Sequence, residues 1–142
     1  MFVDLDGFKP VNDEFGHSVG DAVLRQVGKR IRAQVRSDDT VARLGGDEFT
    51  VLIAGLISAE GAERIAEKVV VTLSQPFRIR DRTVTIGASV GVALFPDHGG
   101  DGEKLLAAAD AAMYVAKEAG RGRYAFAGDS MAHAVVWRDA SM

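Results

Sequence analysis

Four acids carry the clearest chemical potential in this chain. Asp4 and Asp6 alternate with Val3 and Leu5 in a short apolar run, so both carboxylates leave one face of a strand over residues 1–5. Asp47 and Glu48 follow Gly45-Gly46 between two further apolar runs, 41–44 and 49–54. Those runs read as strands joined by a hairpin, whose turn suits glycine because it accepts φ > 0 without a Cβ clash. A turn alone gives no reason for the acids at its mouth. Two carboxylates about 4 Å apart repel by roughly 4 kcal/mol at an effective dielectric of about 20, a cost that a bridging divalent cation removes. Magnesium takes oxygen ligands and joins one or two carboxylates to substrate phosphates. The chain has no cysteine, so any metal must be held by oxygen or imidazole. The histidines His17, His98 and His133 show no ligand spacing, and His17 reads as structural.

Composition bounds the setting of this chemistry. A chain of 142 residues, 47% hydrophobic with 3 prolines, is one globular domain able to bury about two thirds of its unfolded surface. No apolar run approaches the roughly 20 residues that span a bilayer, and no signal peptide precedes the first strand. A cytoplasmic protein without membrane contact is expected. The net charge of -3 argues against non-specific nucleic-acid binding. An anionic phosphate substrate would then need metal ions and locally placed cations.

The elements that position the acids follow from periodicity. Val23, Leu24, Val27, Ile31 and Val35 recur at helical spacing after Asp21. Ser58 is an N-cap for a second helix that turns Ile65, Ala66, Val69, Val70 and Leu73 inward. Val84, Ile86, Ala88, Val90, Val92 and Leu94 alternate as one unbroken strand, and the intervening Gly87, Ser89 and Gly91 suit close packing on that face. Residues 77–80 pair with it through a turn near Asp81. Asp101 caps a third helix bearing Leu105, Leu106, Ala109, Ala112, Met113 and Ala116, which stops at Gly120. Residues 124–126 form a last strand. The expected fold is α+β, an antiparallel-rich sheet covered by helices.

Several motifs stand in order: Asp4-Leu5-Asp6-Gly7-Phe8-Lys9, Asn12-Asp13, Phe15-Gly16-His17, Gly20-Asp21, Gly45-Gly46-Asp47-Glu48-Phe49, Ala109-Asp110-Ala111-Ala112-Met113-Tyr114 and Ala116-Lys117. Over roughly residues 1–127 the chain thereby resembles the GGDEF family. That resemblance implies a polymerase-palm or nucleotidyl-cyclase-like fold with a ferredoxin-like core. It also implies a diguanylate cyclase, which condenses two GTP into cyclic di-GMP with release of pyrophosphate. Mg²⁺, with Mn²⁺ as a substitute, would be held by Asp4, the Leu5 carbonyl and Asp47. Asp47 would also help remove a proton, with Glu48 close by. Lys117, Arg121 and the backbone around Gly7, Phe8 and Lys9 would meet the phosphates, with Gly45 and Gly46 in the substrate site.

The resemblance assigns Asn12 and Asp21 to the guanine edge. By themselves they read as a turn initiator and as a cap for a helix starting at Ala22. Asp6 is open between a site role and a strand-end carboxylate facing solvent or a backbone amide. Arg36 and Asp39 have the RxxD spacing, with five residues between Asp39 and Gly45, of the family's product-inhibition site, though an ordinary polar loop looks the same. Two departures stand out. Gly122 lies between Arg121 and Arg123 where the family often has asparagine, and a D-x-L-T-x-L-x-N-R segment is not found ahead of the first strand. Catalysis is expected in a homodimer, with impaired turnover and association through the uncovered sheet. A non-catalytic GTP or cyclic-di-GMP binding module and an inactive fragment of a larger signalling protein are the alternatives. Residues 128–142 are expected to be a helical or disordered tail.

Overall fold

The computed structural model describes residues 1–55 and 58–128. Eleven elements follow in order: β1 (Phe2–Asp6), α1 (Phe8–Phe15), α2 (His17–Arg32), β2 (Thr40–Gly45), β3 (Glu48–Leu52), α3 (Ala59–Ser74), β4 (Phe77–Ile79), β5 (Arg82–Val84), β6 (Gly87–Val92), α4 (Gly102–Glu118) and β7 (Tyr124–Phe126). The main sheet runs β2-β3-β1-β6-β7, while β4 and β5 form a separate hairpin. Its β2/β3, β3/β1 and β1/β6 pairs are antiparallel and β6/β7 is parallel. The expected α+β, antiparallel-rich sheet is present.

Alternation along β1 sorts its side chains. Val3 and Leu5 enter the large core formed with α1, α2 and α3, whereas Phe2 faces Ala109 and Met113 of α4. Asp4 and Asp6 share the Phe2 face, and so emerge beneath the C-terminal end of α4. That helix lies almost on the backbone of β6. A Cβ on Gly91 would stand 1.9 Å from the Ala109 carbonyl oxygen and 2.3 Å from the Met113 nitrogen. The small residues of β6 therefore permit the approach expected of them.

Three expectations about elements need correction. The alternation from Val84 to Leu94 is not one strand. It breaks after Val84, which pairs with Phe77 in the hairpin, and resumes at Gly87 in the main sheet. Periodicity missed the break because Val84, Ile86, Ala88, Val90 and Val92 all enter the same core. The first long helix starts at His17 rather than beyond Asp21 and ends at Arg32 rather than Val35. Asp21 lies inside it, so its capping role falls, and Gly16 holds the N-cap position. Ahead of it α1 was read only as a turn around Asn12. Its signal is the burial of Phe8 and Val11 with Phe15 packed beside the core, an i, i+3, i+7 stripe.

Other local features match. Ser58 Oγ accepts from Gly61 N at 3.1 Å and Asp101 Oδ1 from Lys104 N at 2.8 Å. Gly120, at φ 123°, follows the end of α4. From residue 129 onward the expected tail lies outside the described residues.

Candidate active site

The hairpin of β2 and β3 closes through Gly46 and Asp47, with Gly45 opposite Glu48. Gly46 has φ 51°, in the left-handed region that glycine tolerates best, and Arg43 Nε donates to its carbonyl at 2.9 Å. The tip is tied to the central strand, since Leu5 N donates to the Asp47 carbonyl at 3.1 Å. One residue on, Glu48 stands opposite Asp4. The four acids singled out by the sequence therefore meet around the end of β1.

Their environments differ. Asp4 Oδ2 lies 3.2 Å from Lys117 Nζ, whereas Asp4 Oδ1 is buried with no hydrogen-bond partner among the described residues. Burial pushes the Asp4 carboxyl above the usual range, and the charges of Asp47 and Glu48 push the same way against the pull of Lys117. An unsatisfied buried oxygen beside two further acids is the local chemistry a divalent cation relieves. Among the described residues, no three or more His, Cys, Asp or Glu side chains gather as a complete metal cage. The unpaired Asp4 oxygen with the charges of Asp47 and Glu48 near it fits an ion that completes its shell with phosphate and water.

Asp6 is held quite differently. It is 9% exposed, which excludes the solvent-facing reading. It accepts from Ser89 Oγ at 2.9 and 3.1 Å and from Gly122 N at 2.9 Å. Lys117 Nζ stands 3.4 Å away and Arg121 Nε 3.9 Å away. Arg121 has φ 63° and its side chain is 62% exposed. Ser89 was noted in the sequence only for its size, and its hydroxyl went unread because the partner lies 83 residues earlier.

A second group lies where α1 meets α2. Asn12 Nδ2 lies 3.2 Å from His17 Nδ1, and its amide rests on the backbone of Gly20, where a Cβ would be 2.1 Å from Asn12 Oδ1. Asp21 follows Gly20 directly and is exposed. Phe8 is buried in the core, leaving only its backbone for a ligand, while Lys9 is exposed in the first turn of α1. The α1–α2 pair thus presents amide and carboxylate groups, and the end of β1 presents acids and cations.

Arg36 and Asp39 sit apart, in the loop between α2 and β2. The Arg36 side chain is 79% exposed. Asp39 is buried, and its two oxygens accept from Arg36 N at 2.8 Å and Ala54 N at 3.0 Å. Arg32 adds bonds to the carbonyls of Asp39 and Arg36. The aspartate shapes this loop, and the exposed Arg36 side chain lies at its surface, with Nε 3.9 Å from Asp38 Oδ1.

Acids at the tip of a hairpin and at the end of the adjoining central strand, on a palm-like sheet with cations brought in by the last helix, define a nucleotidyl-cyclase-type domain. Residues 1–123 match the family described as diguanylate cyclase, GGDEF domain, and the chain belongs to that family. It is 52% identical over 131 residues to the bifunctional diguanylate cyclase/cyclic di-GMP phosphodiesterase MucR of Pseudomonas aeruginosa, covering 92% of this chain and 19% of that protein. It is 47% identical over 123 residues to the diguanylate cyclase TpbB of the same species, covering 86% of this chain and 28% of TpbB. The chain thus spans less than a third of either relative. The solved GGDEF domain of TpbB superposes with a TM-score of 0.85 at 46% identity, over 89% of this chain and 79% of that one. The coiled coil and GGDEF domain of DgcB from Caulobacter crescentus, solved with cyclic di-GMP, gives 0.78 at 30% identity, over 89% and 67%. Among the described residues no helix is long and apolar enough to cross a membrane.

Proposed function

We propose that this domain is a diguanylate cyclase that joins two GTP molecules into cyclic di-GMP with release of two pyrophosphates. The observation that carries the reading is the buried Asp4 Oδ1, without a hydrogen-bond partner among the described residues, beside Lys117 at the strand end to which the Asp47 backbone is tied. Asn12 and Asp21 bind the guanine edge, the carboxylate accepting from N1 and N2 while the amide satisfies the remaining partners. Lys117, Arg121 and the backbone of Phe8 and Lys9 meet the triphosphate, and Gly45 and Gly46 leave room above it. Asp47 accepts the proton of the attacking 3′-hydroxyl, with Glu48 adding negative charge beside it. A divalent cation held by Asp4, Asp47 and the Leu5 carbonyl, Mg²⁺ by its oxygen donors, would neutralise phosphate charge and acidify that hydroxyl.

Each GTP attacks the α-phosphate of the other, so two domains facing across a two-fold axis form the simplest catalytic unit. Incubation with GTP and Mg²⁺, followed by chromatography of the nucleotides, tests the reading. Cyclic di-GMP should form at a rate rising more than linearly with protein concentration, and Asp47→Asn should form none. Product from Asp47→Asn at the parent rate would remove Asp47 from the chemistry.

Two narrower outcomes follow from neighbouring geometry. Gly20→Ala should displace the Asn12 amide without unfolding α2, because the clash falls on the end of a side chain. Preference for GTP over ATP should then fall by about tenfold, within the roughly 1–3 kcal/mol that unpaired base-edge groups cost. Unchanged preference in competition assays would detach Asn12 from base selection. Arg36→Ala should relieve inhibition by cyclic di-GMP while leaving the initial rate intact, since Arg36 lies in a different loop from the acids. Titration calorimetry giving the same product affinity in both proteins would reduce that loop to a connector.

A further inference from the structure

We propose that Asp6 is the positioning residue for the phosphate-directed cations, anchoring the turn after α4 to the end of β1. This rests on the nucleotide-binding reading of the site. Among the described residues, Asp6 is the one of the four clustered acids with both oxygens engaged by other groups. Ser89 Oγ reaches both, Gly122 N takes Oδ2, and Lys117 Nζ approaches Oδ1. A carboxylate so engaged is poorly placed to serve as a metal ligand, in contrast to its neighbour two residues earlier.

Its donors come from three separate elements. Ser89 is on β6, Lys117 in the last turn of α4, and Gly122 in the turn that leads to β7. That turn is unusual: Gly120, Arg121 and Gly122 all have positive φ, at 123°, 63° and 61°. Arginine disfavours that conformation. The bond from Gly122 N to Asp6, with that from Arg121 N to the Ala116 carbonyl at 3.0 Å, spans the strained residue on both sides. Arg121 Nε leans towards Asp6 at 3.9 Å while most of its side chain stays exposed, so the guanidinium is aimed without being consumed. Lys117 is shared between Asp4 at 3.2 Å and Asp6 at 3.4 Å. When Asp4 turns to another partner, Asp6 still holds the ammonium at the mouth of the site. With glycine at position 122, the anchor supplies the rigidity that the turn lacks in its own sequence.

The test uses the whole chain and two ligands: α,β-methylene GTP, which cannot be cyclised, and guanosine, which lacks the phosphates. Asp6→Asn should weaken the triphosphate about tenfold, or roughly 1.4 kcal/mol, with guanosine affinity unchanged. In a Lys117→Ala/Arg121→Ala background the same substitution should have little further effect, because Asp6 acts through those two side chains. Ser89→Ala should shift triphosphate binding in the same direction and spare guanosine, so the inference stays open to refutation if Asp6→Asn does not fold. Equal losses for both ligands, undiminished triphosphate binding in Asp6→Asn or Ser89→Ala, or a full additional loss in the double background would each overturn it. A parent protein that binds neither ligand overturns the nucleotide reading itself.

Discussion

Gly91→Ala is expected to lower the melting temperature by roughly 10 °C, corresponding to about 3 kcal/mol in a domain of this size. The added Cβ would sit 1.9 Å from the Ala109 carbonyl oxygen and 2.3 Å from the Met113 nitrogen. Both are backbone atoms of α4, so no rotamer change relieves the clash and the helix must lift from the sheet. Lys117 rides on that helix, and nucleotide binding should weaken with the fold. Gly28→Ala is the contrasting control. It lies inside α2, where a Cβ would meet only Phe49 Cε2 at 3.9 Å, and better helix propensity should stabilise by up to about 1 kcal/mol. Calorimetric melts of the two variants read both effects. A Gly91→Ala protein melting with the parent would mean that α4 is not seated on β6 as described.

Asp4→Asn should lower turnover by about a hundredfold or more, the scale of removing a preorganised charge from a reacting centre. It should nevertheless stabilise the metal-free protein at neutral pH. The Asp4 carboxyl is held above its ordinary value by burial and by the charges of Asp47 and Glu48. The folded state therefore binds the proton more tightly than the unfolded chain. This contribution is full below the ordinary carboxylate value and is lost as pH rises through the raised one. Asparagine has no such dependence, so its stability should exceed the parent's most clearly at pH 7. Lys117 loses one partner but keeps Asp6 at 3.4 Å. Added Mg²⁺ should raise the melting temperature of the parent and leave that of the variant unchanged. A variant less stable than the parent at pH 7, with turnover intact, would refute both the charge strain and the metal assignment.

Much of this arrangement was legible in the sequence, and the reasons differ by element. The hairpin of β2 and β3 announced itself through two glycines between apolar runs. The small residues of β6 announced close packing on their face, which α4 supplies. Local signals of that kind survive in a few consecutive residues. The break after Val84 did not, because both of its flanks are buried in one core and alternation carries no trace of a change of sheet. Helix α1 was hidden because Asn12 read as a turn initiator, and its Pro10 lies in the first turn, where proline is tolerated. Asp4 and Asp6 looked equivalent as alternating acids on one strand face. Residues some 80–120 positions later distinguish them: Ser89 and Gly122 saturate Asp6, while one oxygen of Asp4 has no partner among the described residues. Asp39 was likewise read as a ligand group, and its bonds to Arg36 and Ala54 depend on how the loop returns to β3.

The proposed site is assembled from two ends of the chain. Asn12, Gly20 and Asp21 lie on two consecutive helices, within the first third of the sequence. The bond between Asp6 and Gly122 spans 116 residues, and the cationic half exists only once it closes. During synthesis, which releases the N-terminal part first, the residues proposed to read the base and the four acids emerge well before Lys117 and Arg121. The growing chain would remain inert towards triphosphates until residues 117–122 have left the ribosome, so acquiring the substrate and completing the domain are one event.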